Sequence, residues 1–305
     1  MRAAWRRIWR TLGRGCVGLA CALALPAGAA QQALLVGVSE YPALPERRLA
    51  GPANDVRLMV RSLSSLGWQP GQMQVLAEQG DAMPSRANIL QALARLAQSS
   101  RSGDWVLLYF SGHGAQVPSK TGLDEVFLPR DTAFWDAQRQ EVKGALRDKE
   151  LAAALQRIRA QGANVWAVFD TCHAADMLRG RASGRARFIS APELRIPVQL
   201  WTSAQSAPVP VLRQMRHHAG TRQGEYIGFF AASKDEGSLE ESLPDPFDGD
   251  KRERYGLFTW ALAQALRESA PSDFAALARR IAAVYAERPF PTPEFIGRLE
   301  QRGPW

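Results

Sequence analysis

The stretch NVWAVFDTCHAA, residues Asn164–Ala175, decides how the rest of the chain is interpreted. Its apolar run, Val165 to Phe169, is typical of a strand buried on both faces of a parallel sheet. The run breaks into Asp170-Thr171-Cys172-His173, and open α/β sheets bind their ligands at the carboxyl ends of such strands. The sequence therefore predicts that Cys172 lies at a strand end, beside a carboxylate, in a functional site.

A second stretch, DWVLLYFSGHG at Asp104–Gly114, has the same form. The strand predicted over Trp105–Phe110 ends in Ser111-Gly112-His113-Gly114, so parallel neighbours would bring His113 and Cys172 to one edge of the sheet. A thiol needs an adjacent base or cation to become a thiolate near neutral pH, and a histidine supplies one. Taken alone, Cys172 is also compatible with a buried structural cysteine. Its polar neighbours at a strand end favour the catalytic interpretation.

The bulk composition is that of a globular protein with a sizeable core. The chain has 305 residues, 46% hydrophobic and 22% charged, with a net charge of +8. Five of the basic residues lie at the N-terminus with no acidic residue among them: Arg2, Arg6, Arg7, Arg10 and Arg14. The remainder carries 33 basic and 30 acidic residues, a balance of +3. The charge therefore gives no support to nucleic-acid binding.

Residues 1–30 have the pattern of a secretory signal peptide. The arginines precede an apolar segment, Cys16–Leu25, and small residues suited to cleavage follow, up to Ala29 and Ala30. The alternative is an uncleaved membrane anchor, but the apolar run is well short of the ~20 residues that span a bilayer. The predicted mature protein is exported, periplasmic or secreted, with no stable membrane span. Cys172 is then its one cysteine, which excludes an internal disulfide.

The first half of the chain alternates between predicted strands and helices. Strands are expected at Gln32–Ser39 and Met73–Leu76, with helices starting near Pro52 and Pro84, and a further helix at Lys149–Ala160. This β-α-β-α-β order predicts parallel strands joined by right-handed crossovers. The fold class is therefore α/β, a three-layer sandwich with a mostly parallel central sheet and helices on both faces.

After Ala175 the composition changes. The segment of about 178–223 is rich in Arg, Pro and Ser and is interpreted as an irregular, solvent-facing connector, in which Val198–Thr202 could pair briefly. The elements predicted beyond it are a strand at Glu225–Ala232, an acidic loop at Ser233–Gly249, helices at Leu257–Leu266 and Phe274–Ala286, and a proline-broken tail at Pro289–Trp305. One domain, residues 31–300, is expected to contain all of these, with 301–305 as its tail.

Several blocks of this sequence resemble the caspase-like cysteine peptidases, the group that contains caspases, metacaspases and their bacterial relatives (peptidase family C14). YFSGHG at Tyr109–Gly114 and DTCHAA at Asp170–Ala175 look like the two active-site blocks of that family. Further similar blocks follow in order, at Gly37–Val56, Asp124–Asp131, Ala231–Glu240 and Gly256–Leu262. The 59 residues from His113 to Cys172 are comparable with the ~50-residue spacing of caspases.

The resemblance implies a caspase-like fold and a cysteine endopeptidase with a Cys-His dyad. Cys172 is the expected nucleophile, and His113 the residue that stabilises the thiolate and protonates the leaving amine. The resemblance suggests the backbone N–H groups of Gly114 and Cys172 as oxyanion donors. The alternative function is a catalytically silent caspase-like scaffold that binds other proteins. Retention of both His113 and Cys172 favours the enzyme.

The positions that match the metacaspase specificity pocket are Asp55, Ser111 and Asp170. Two carboxylates favour a guanidinium or ammonium group, so cleavage after Arg or Lys of protein and peptide substrates is expected. The competing interpretation of Asp55 is a residue that caps or flanks its helix.

No metal or other cofactor is predicted. Some metacaspases require calcium, but here Lys149 follows Asp148, and Arg179 falls near another place where an acid would be expected, so such a site looks degraded. The adjacent His217 and His218 are interpreted as solvated. An enzyme that cuts after arginine could also cut its own connector, which offers Arg179, Arg181, Arg185 and Arg187.

Overall fold

The protein is described by a computed structural model that covers residues 29–120, 122–172, 185–204, 210–216, 222–233, 236–286 and 291–305. The strands in these ranges are β1 Gln31–Gly37, β2 Met73–Leu76, β3 Trp105–Ser111, β4 Gly114–Ser119, β5 Gly122–Phe127, β6 Trp135–Asp136, β7 Glu141–Val142, β8 Leu146–Arg147, β9 Asn164–Asp170, β10 Arg185–Ala186, β11 Tyr226–Phe230, β12 Leu239–Asp245, β13 Asp248–Gly256 and β14 Glu294–Ile296. The helices are α1 Gly51–Ser65, α2 Arg86–Ser99, α3 Asp148–Ala160, α4 Val198–Ser203, α5 Val211–Gln214, α6 Leu257–Glu268 and α7 Phe274–Tyr285.

A six-stranded sheet forms the centre of the fold, in the order β14-β11-β9-β3-β1-β2. The pairs β1–β2, β1–β3, β3–β9 and β9–β11 are parallel, and β14 pairs antiparallel with β11. Helices cover both faces, because alternate residues of each central strand enter two separate apolar clusters. Leu34 of β1 belongs to the cluster that includes α2 and α3, and Leu35 to the one that includes α1, α6 and α7. The predicted α/β fold class is confirmed.

The strand register aligns the carboxyl ends of β3 and β9. Ser111 pairs with Asp170, the last residue of each strand, and Phe110 pairs with Phe169 one step earlier. Phe169 stacks on Phe110 and on Phe230 of β11, with ring centroids 5.4 and 5.3 Å apart. These three rings occupy one face of the sheet, so Ser111 and Asp170 direct their side chains to the opposite face, toward α1 and α6.

Three predictions for the second half of the chain are wrong. The acidic loop expected at Ser233–Gly249 contains β12 and the start of β13, which pair as an antiparallel hairpin. The connector is not uniformly solvent-facing, since Ile189 and Leu194 are fully buried in the core, and Val198–Ser203 is a helix. Both segments are stabilised by tertiary contacts that local periodicity does not reveal. The tail predicted at Pro289–Trp305 contains the strand β14, which pairs with β11 at the edge of the central sheet. The other predicted strands and helices differ from the structure by a few residues at their ends.

The predicted signal peptide lies outside the described residues, apart from Ala29 and Ala30, and stays a prediction. In the part of the chain that the structure describes, no helix is long and apolar enough to cross a membrane.

Candidate active site

The two strand ends place the candidate catalytic residues at equivalent positions. His113 lies two residues after Ser111, and Cys172 two residues after Asp170. Since Ser111 and Asp170 are register partners in neighbouring parallel strands, the two short segments leave the same edge of the sheet. Gly112, between Ser111 and His113, connects the two segments, because its N–H donates to the Asp170 carbonyl oxygen at 3.5 Å. The edge predicted from the sequence as the functional site therefore carries both residues.

The imidazole of His113 has a defined orientation. Its Nε2 lies 2.8 Å from the backbone carbonyl oxygen of Arg47, which can only accept a hydrogen bond. Nε2 therefore carries the proton, and Nδ1 of the neutral ring is left as the base. Nδ1 is buried and makes no hydrogen bond to the residues that the structure describes. The Arg47 carbonyl thus plays the part of an orienting group, a role that no side-chain motif could have indicated.

Burial keeps His113 neutral. Loss of solvent lowers the pKa of His113 to about 3, while the nearby backbone carbonyls of Arg47 and Arg187 act in the opposite direction. Tyr41 fixes the histidine further, because its hydroxyl accepts the His113 backbone N–H at 2.8 Å and its ring lies 5.1 Å from the imidazole. A neutral imidazole is the form that can take a proton from a thiol.

Cys172 is 1% exposed. Its Sγ lies 3.8 Å from the carbonyl oxygen of Glu236, to which the thiol donates. The described residues contain no other cysteine, so the sulfur takes part in no disulfide within them.

Asp55, Ser111 and Asp170, predicted as the specificity pocket, converge on one point. Asp55 Oδ2 accepts hydrogen bonds from Ser111 Oγ at 2.8 Å and from Nη2 of Arg187 at 2.6 Å. Asp170 Oδ2 lies 3.2 Å from Nη1 of Arg187. All four side chains are buried. Asp55 is therefore not a helix cap, because α1 has Ala50 at its N-cap position and the Asp55 carboxylate bonds Ser111 and Arg187 instead.

Hydrogen bonds from the α6 region and the β11–β12 connection hold both carboxylates. Thr259 donates its N–H and its hydroxyl to Asp170 Oδ2 at 3.1 and 2.6 Å, and Ser238 donates its hydroxyl to Oδ1. Gly256 donates its N–H to Asp55 Oδ1 at 2.9 Å. The sequence does not indicate these supporting residues. Ser238 lies in a segment predicted to be a loop, and the helix predicted at Leu257–Leu266 gives no sign that Thr259 faces Asp170.

The guanidinium of Arg187 occupies the pocket. Besides the two aspartates it contacts Ser111 Oγ and the Asp170 carbonyl oxygen through Nη1, at 2.9 and 3.1 Å, and Glu240 Oε2 lies 3.9 Å from Nη2. Burial alone would lower the pKa of Arg187, but the three carboxylates overcome this effect and the pKa is raised. The pocket is therefore complementary to a fully desolvated guanidinium.

Gly114 is predicted from the sequence to be an oxyanion donor. Its backbone N–H donates to the carbonyl oxygen of Arg187 at 3.0 Å. A single arginine residue thus has its side chain in the carboxylate pocket and its carbonyl oxygen on the N–H group next to His113.

Lys149, one of the two residues for which a calcium site looks degraded, forms an ion pair with the buried carboxylate of Asp124. Asp124 Oδ2 binds Arg147 Nη1 at 2.6 Å and Lys149 Nζ at 2.8 Å, and these bonds lower the pKa of Asp124 although burial opposes them. Among the described residues, no group of three or more His, Cys, Asp or Glu side chains is arranged to hold a metal ion. His173, His217 and His218 lie outside the described ranges.

Comparisons with known proteins identify the family of this chain. The family model described as the caspase domain (peptidase C14) matches residues 30–295, so the chain belongs to the caspase-domain peptidase family. It is 29% identical over 160 residues to metacaspase-5 of Trypanosoma cruzi, covering 50% of this chain and 34% of that protein. It is 30% identical over 152 residues to metacaspase-7 of Arabidopsis thaliana, covering 49% of this chain and 36% of that protein.

A solved structure supports the fold. A crystal structure of protein GSU0716 from Geobacter sulfurreducens superposes with a TM-score of 0.62 at 20% identity, covering 90% of this chain and 97% of the other. At that identity the likeness concerns the fold alone. The chain spans about a third of the length of the curated metacaspases that it matches.

Proposed function

We propose that this protein is a cysteine endopeptidase that hydrolyses peptide bonds after Arg or Lys. The observation that carries the proposal is the buried pocket of Asp55, Ser111 and Asp170, filled by a guanidinium, at the sheet edge that also bears His113 and Cys172. Membership of the caspase-domain family supports the chemistry. The carboxylates of the pocket support a preference for Arg or Lys as the residue before the scissile bond.

The proposed reaction uses the neutral histidine as its base. Nδ1 of His113 takes the thiol proton of Cys172. The thiolate then attacks the backbone carbonyl carbon of the basic residue. The Gly114 N–H stabilises the oxyanion that forms. His113 returns the proton to the leaving amine as the C–N bond breaks, and water then hydrolyses the thioester to release a carboxylate. The Arg47 carbonyl supports this cycle by favouring the imidazole tautomer with a free Nδ1.

A panel of fluorogenic peptides that differ only in the residue before the scissile bond tests the proposal. Arg and Lys peptides are expected to be hydrolysed, and Asp and Ala peptides at least about 100-fold more slowly. The reason is that only a positively charged side chain can replace the desolvated guanidinium of Arg187 beside the buried carboxylates. Faster cleavage after Asp would contradict the pocket assignment. A folded protein with no hydrolysis of any peptide would favour the binding scaffold.

The same panel of peptides tests whether the rate of hydrolysis is independent of calcium. We propose that no metal ion is needed, since Lys149 follows Asp148 in the segment where calcium ligands would be expected and its ammonium group already pairs with the Asp124 carboxylate. Rates with excess chelator and with millimolar calcium should agree within about twofold. A rate that depends on added calcium would overturn this part of the proposal.

Activity toward Arg peptides should fall in mildly acidic solution. Burial raises the pKa of Asp55 to about 6, against the opposing effect of Arg187. As the pH falls through that value Asp55 binds a proton and loses the charge that attracts the substrate, so kcat/KM decreases. Because the pKa of His113 is lowered to about 3, its protonation contributes only in stronger acid.

The matched control for this pH effect is Asp55→Asn. This variant should have a lower kcat/KM for Arg peptides at pH 8 and no acid limb near pH 6. If it keeps the limb of the unmodified protein, the titration belongs to another group.

A further inference from the structure

Four neighbouring strands of the central sheet each have a polar or reactive residue two positions beyond their last residue. The strands lie in the order β2-β1-β3-β9, and the residues, in the same order, are Glu78, Ser39, His113 and Cys172. His113 and Cys172 are the proposed catalytic pair. Glu78 and Ser39 extend the same row along the carboxyl edge of the sheet, and neither has a part in the proposed reaction.

The Glu78 carboxylate binds the backbone of the β1–α1 loop, residues 38–50. Its Oε1 accepts the N–H groups of Ser39 and Glu40, at 3.1 and 2.9 Å, and its Oε2 accepts the Ser39 N–H at 3.3 Å. Partial burial raises the pKa of Glu78, and the N–H groups of Glu40 and Ser39 oppose that effect. Removing a carboxylate from water is costly, and backbone N–H groups form strong hydrogen bonds to an ionised one. The loop therefore compensates this charge.

Ser39 closes the loop into a ring. Its carbonyl oxygen accepts the N–H of Leu49 at 2.9 Å, so the start and the end of the loop are joined. Its hydroxyl accepts the N–H of Ala53, in the first turn of α1, at 3.1 Å. Glu78 therefore holds the loop at the residue where its two ends meet.

The loop carries both groups that orient His113. The hydroxyl of Tyr41 accepts the His113 backbone N–H, and the carbonyl oxygen of Arg47 lies opposite Nε2 of its ring. Between them, Leu44 donates its N–H to the Tyr41 carbonyl oxygen, and Arg47 donates its N–H to the Leu44 carbonyl oxygen, each at 2.8 Å. Because these turns are hydrogen-bonded in series, a shift at the Glu78 end of the loop moves both contacts to the histidine.

We propose that Glu78 is a positioning residue, and that its carboxylate fixes the backbone and the tautomer of His113 through the β1–α1 loop. The inference rests on the proposed function and adds to it a residue that acts on the reacting atoms only through this loop. With the carboxylate in place, the Arg47 carbonyl stays opposite Nε2 and Nδ1 is free to take the thiol proton. Without it, the imidazole also populates the tautomer with its proton on Nδ1, which cannot be the base for Cys172.

The first test is the steady-state hydrolysis of Arg peptides by Glu78→Gln. The amide has the size of the carboxylate, but it has no charge, and its N–H₂ group meets the backbone N–H groups of the loop. We expect kcat to fall by about 10- to 100-fold, because a small displacement of a catalytic group can cost 10²-fold. KM should stay within about threefold, since Asp55 and Asp170 keep their own hydrogen bonds in the pocket.

Asp81→Asn is the matched control. Asp81 lies in the same connection between β2 and α2, and its Oδ2 also accepts a backbone N–H, that of Val75, at 2.8 Å. That bond ties the connection to its own strand rather than to the β1–α1 loop. The variant should therefore keep kcat and KM within about twofold of the unmodified protein.

A spectroscopic measurement follows His113 itself. The chain has 4 histidines, so ¹⁵N-histidine labelling gives few ring signals, and those missing from His113→Gln belong to His113. In the unmodified protein, Nε2 should have the signal of a protonated nitrogen and Nδ1 that of an unprotonated one. In Glu78→Gln the two signals should move toward each other as the second tautomer becomes populated. In Asp81→Asn they should not move.

A double-mutant cycle tests the route through the loop. Tyr41→Phe removes the hydroxyl that accepts the His113 N–H, and should lower kcat on its own. In the Tyr41→Phe background, Glu78→Gln should lower kcat by a smaller factor than it does alone, because residues of one hydrogen-bonded network are coupled. Factors that simply multiply in the double variant would contradict this route.

The inference and the proposed function fail on different results. A folded, unmodified chain that hydrolyses no peptide would overturn the proposed function. An active chain in which Glu78→Gln keeps both kcat and the His113 signals, or changes KM alone, would overturn this inference and leave the proposed function standing. If Glu78→Gln does not fold, Glu78→Asp decides, because its shorter side chain keeps the charge. Unchanged kcat and unchanged His113 signals in that variant would equally overturn the inference.

Discussion

Replacing Cys172 by alanine is expected to reduce hydrolysis of Arg peptides by at least about 10⁴-fold, because Cys172 is the only cysteine among the described residues and its thiolate is the expected nucleophile. Loss of a nucleophile usually costs as much as loss of the whole catalytic unit. His113→Gln should be nearly as inactive, since Cys172 then loses its base. The double variant should be no worse than either single one.

The measurement is steady-state hydrolysis together with thermal unfolding of each variant. Cys172 is buried, and loss of its small sulfur should lower the unfolding temperature by only a few degrees. Thr171→Val is a matched control, because Thr171 is a buried neighbour whose hydroxyl makes no hydrogen bond to the described residues. Substantial hydrolysis by folded Cys172→Ala would contradict the assignment of the nucleophile.

Replacing Asp170 by asparagine should lower kcat/KM for Arg peptides by about 30- to 5,000-fold. Removing one partner of a desolvated, hydrogen-bonded charge pair costs roughly 2–5 kcal/mol. The amide keeps the size of the side chain but has no charge to offer the guanidinium. It also places an N–H₂ group against one of the hydroxyl or amide donors of Ser238 and Thr259.

The specificity of this effect is checked with a second buried aspartate. Asp245 is also buried and pairs with Arg61 at 2.7 Å, but it lies at the end of β12, away from the pocket residues. Asp245→Asn should cost stability without changing the preference for Arg over Ala peptides. An Asp170→Asn variant that keeps the full preference would show that Asp170 does not bind the substrate side chain.

The two predicted catalytic residues could be located from sequence because they lie at the ends of regular strands. Val165 to Phe169 and Trp105–Phe110 are apolar throughout, and buried parallel strands require that composition. Once the two strands are recognised, parallel pairing brings their ends to one edge. The α/β class followed from the same local patterns.

The specificity pocket could be predicted only through the family resemblance. Asp55 lies on α1 and Asp170 on β9, and nothing in their own neighbourhoods indicates that they face each other. The hairpin of β12 and β13 was missed because β13 is mostly exposed and charged, from Asp248 onward, and its pairing is not encoded by hydrophobic alternation.

The sequence by itself determined the fold class, the family and the residues at the two strand ends, since these depend on local composition and short motifs. Only the tertiary structure decided which arginine occupies the pocket. Arg187 lies in a basic segment that reads as solvent-exposed, and its burial requires carboxylates from α1, β9 and β12 to surround one guanidinium. An unpaired buried charge would be far too costly, so Arg187 can be buried only with these carboxylates around it. The carboxylates meet only after distant parts of the chain have come together.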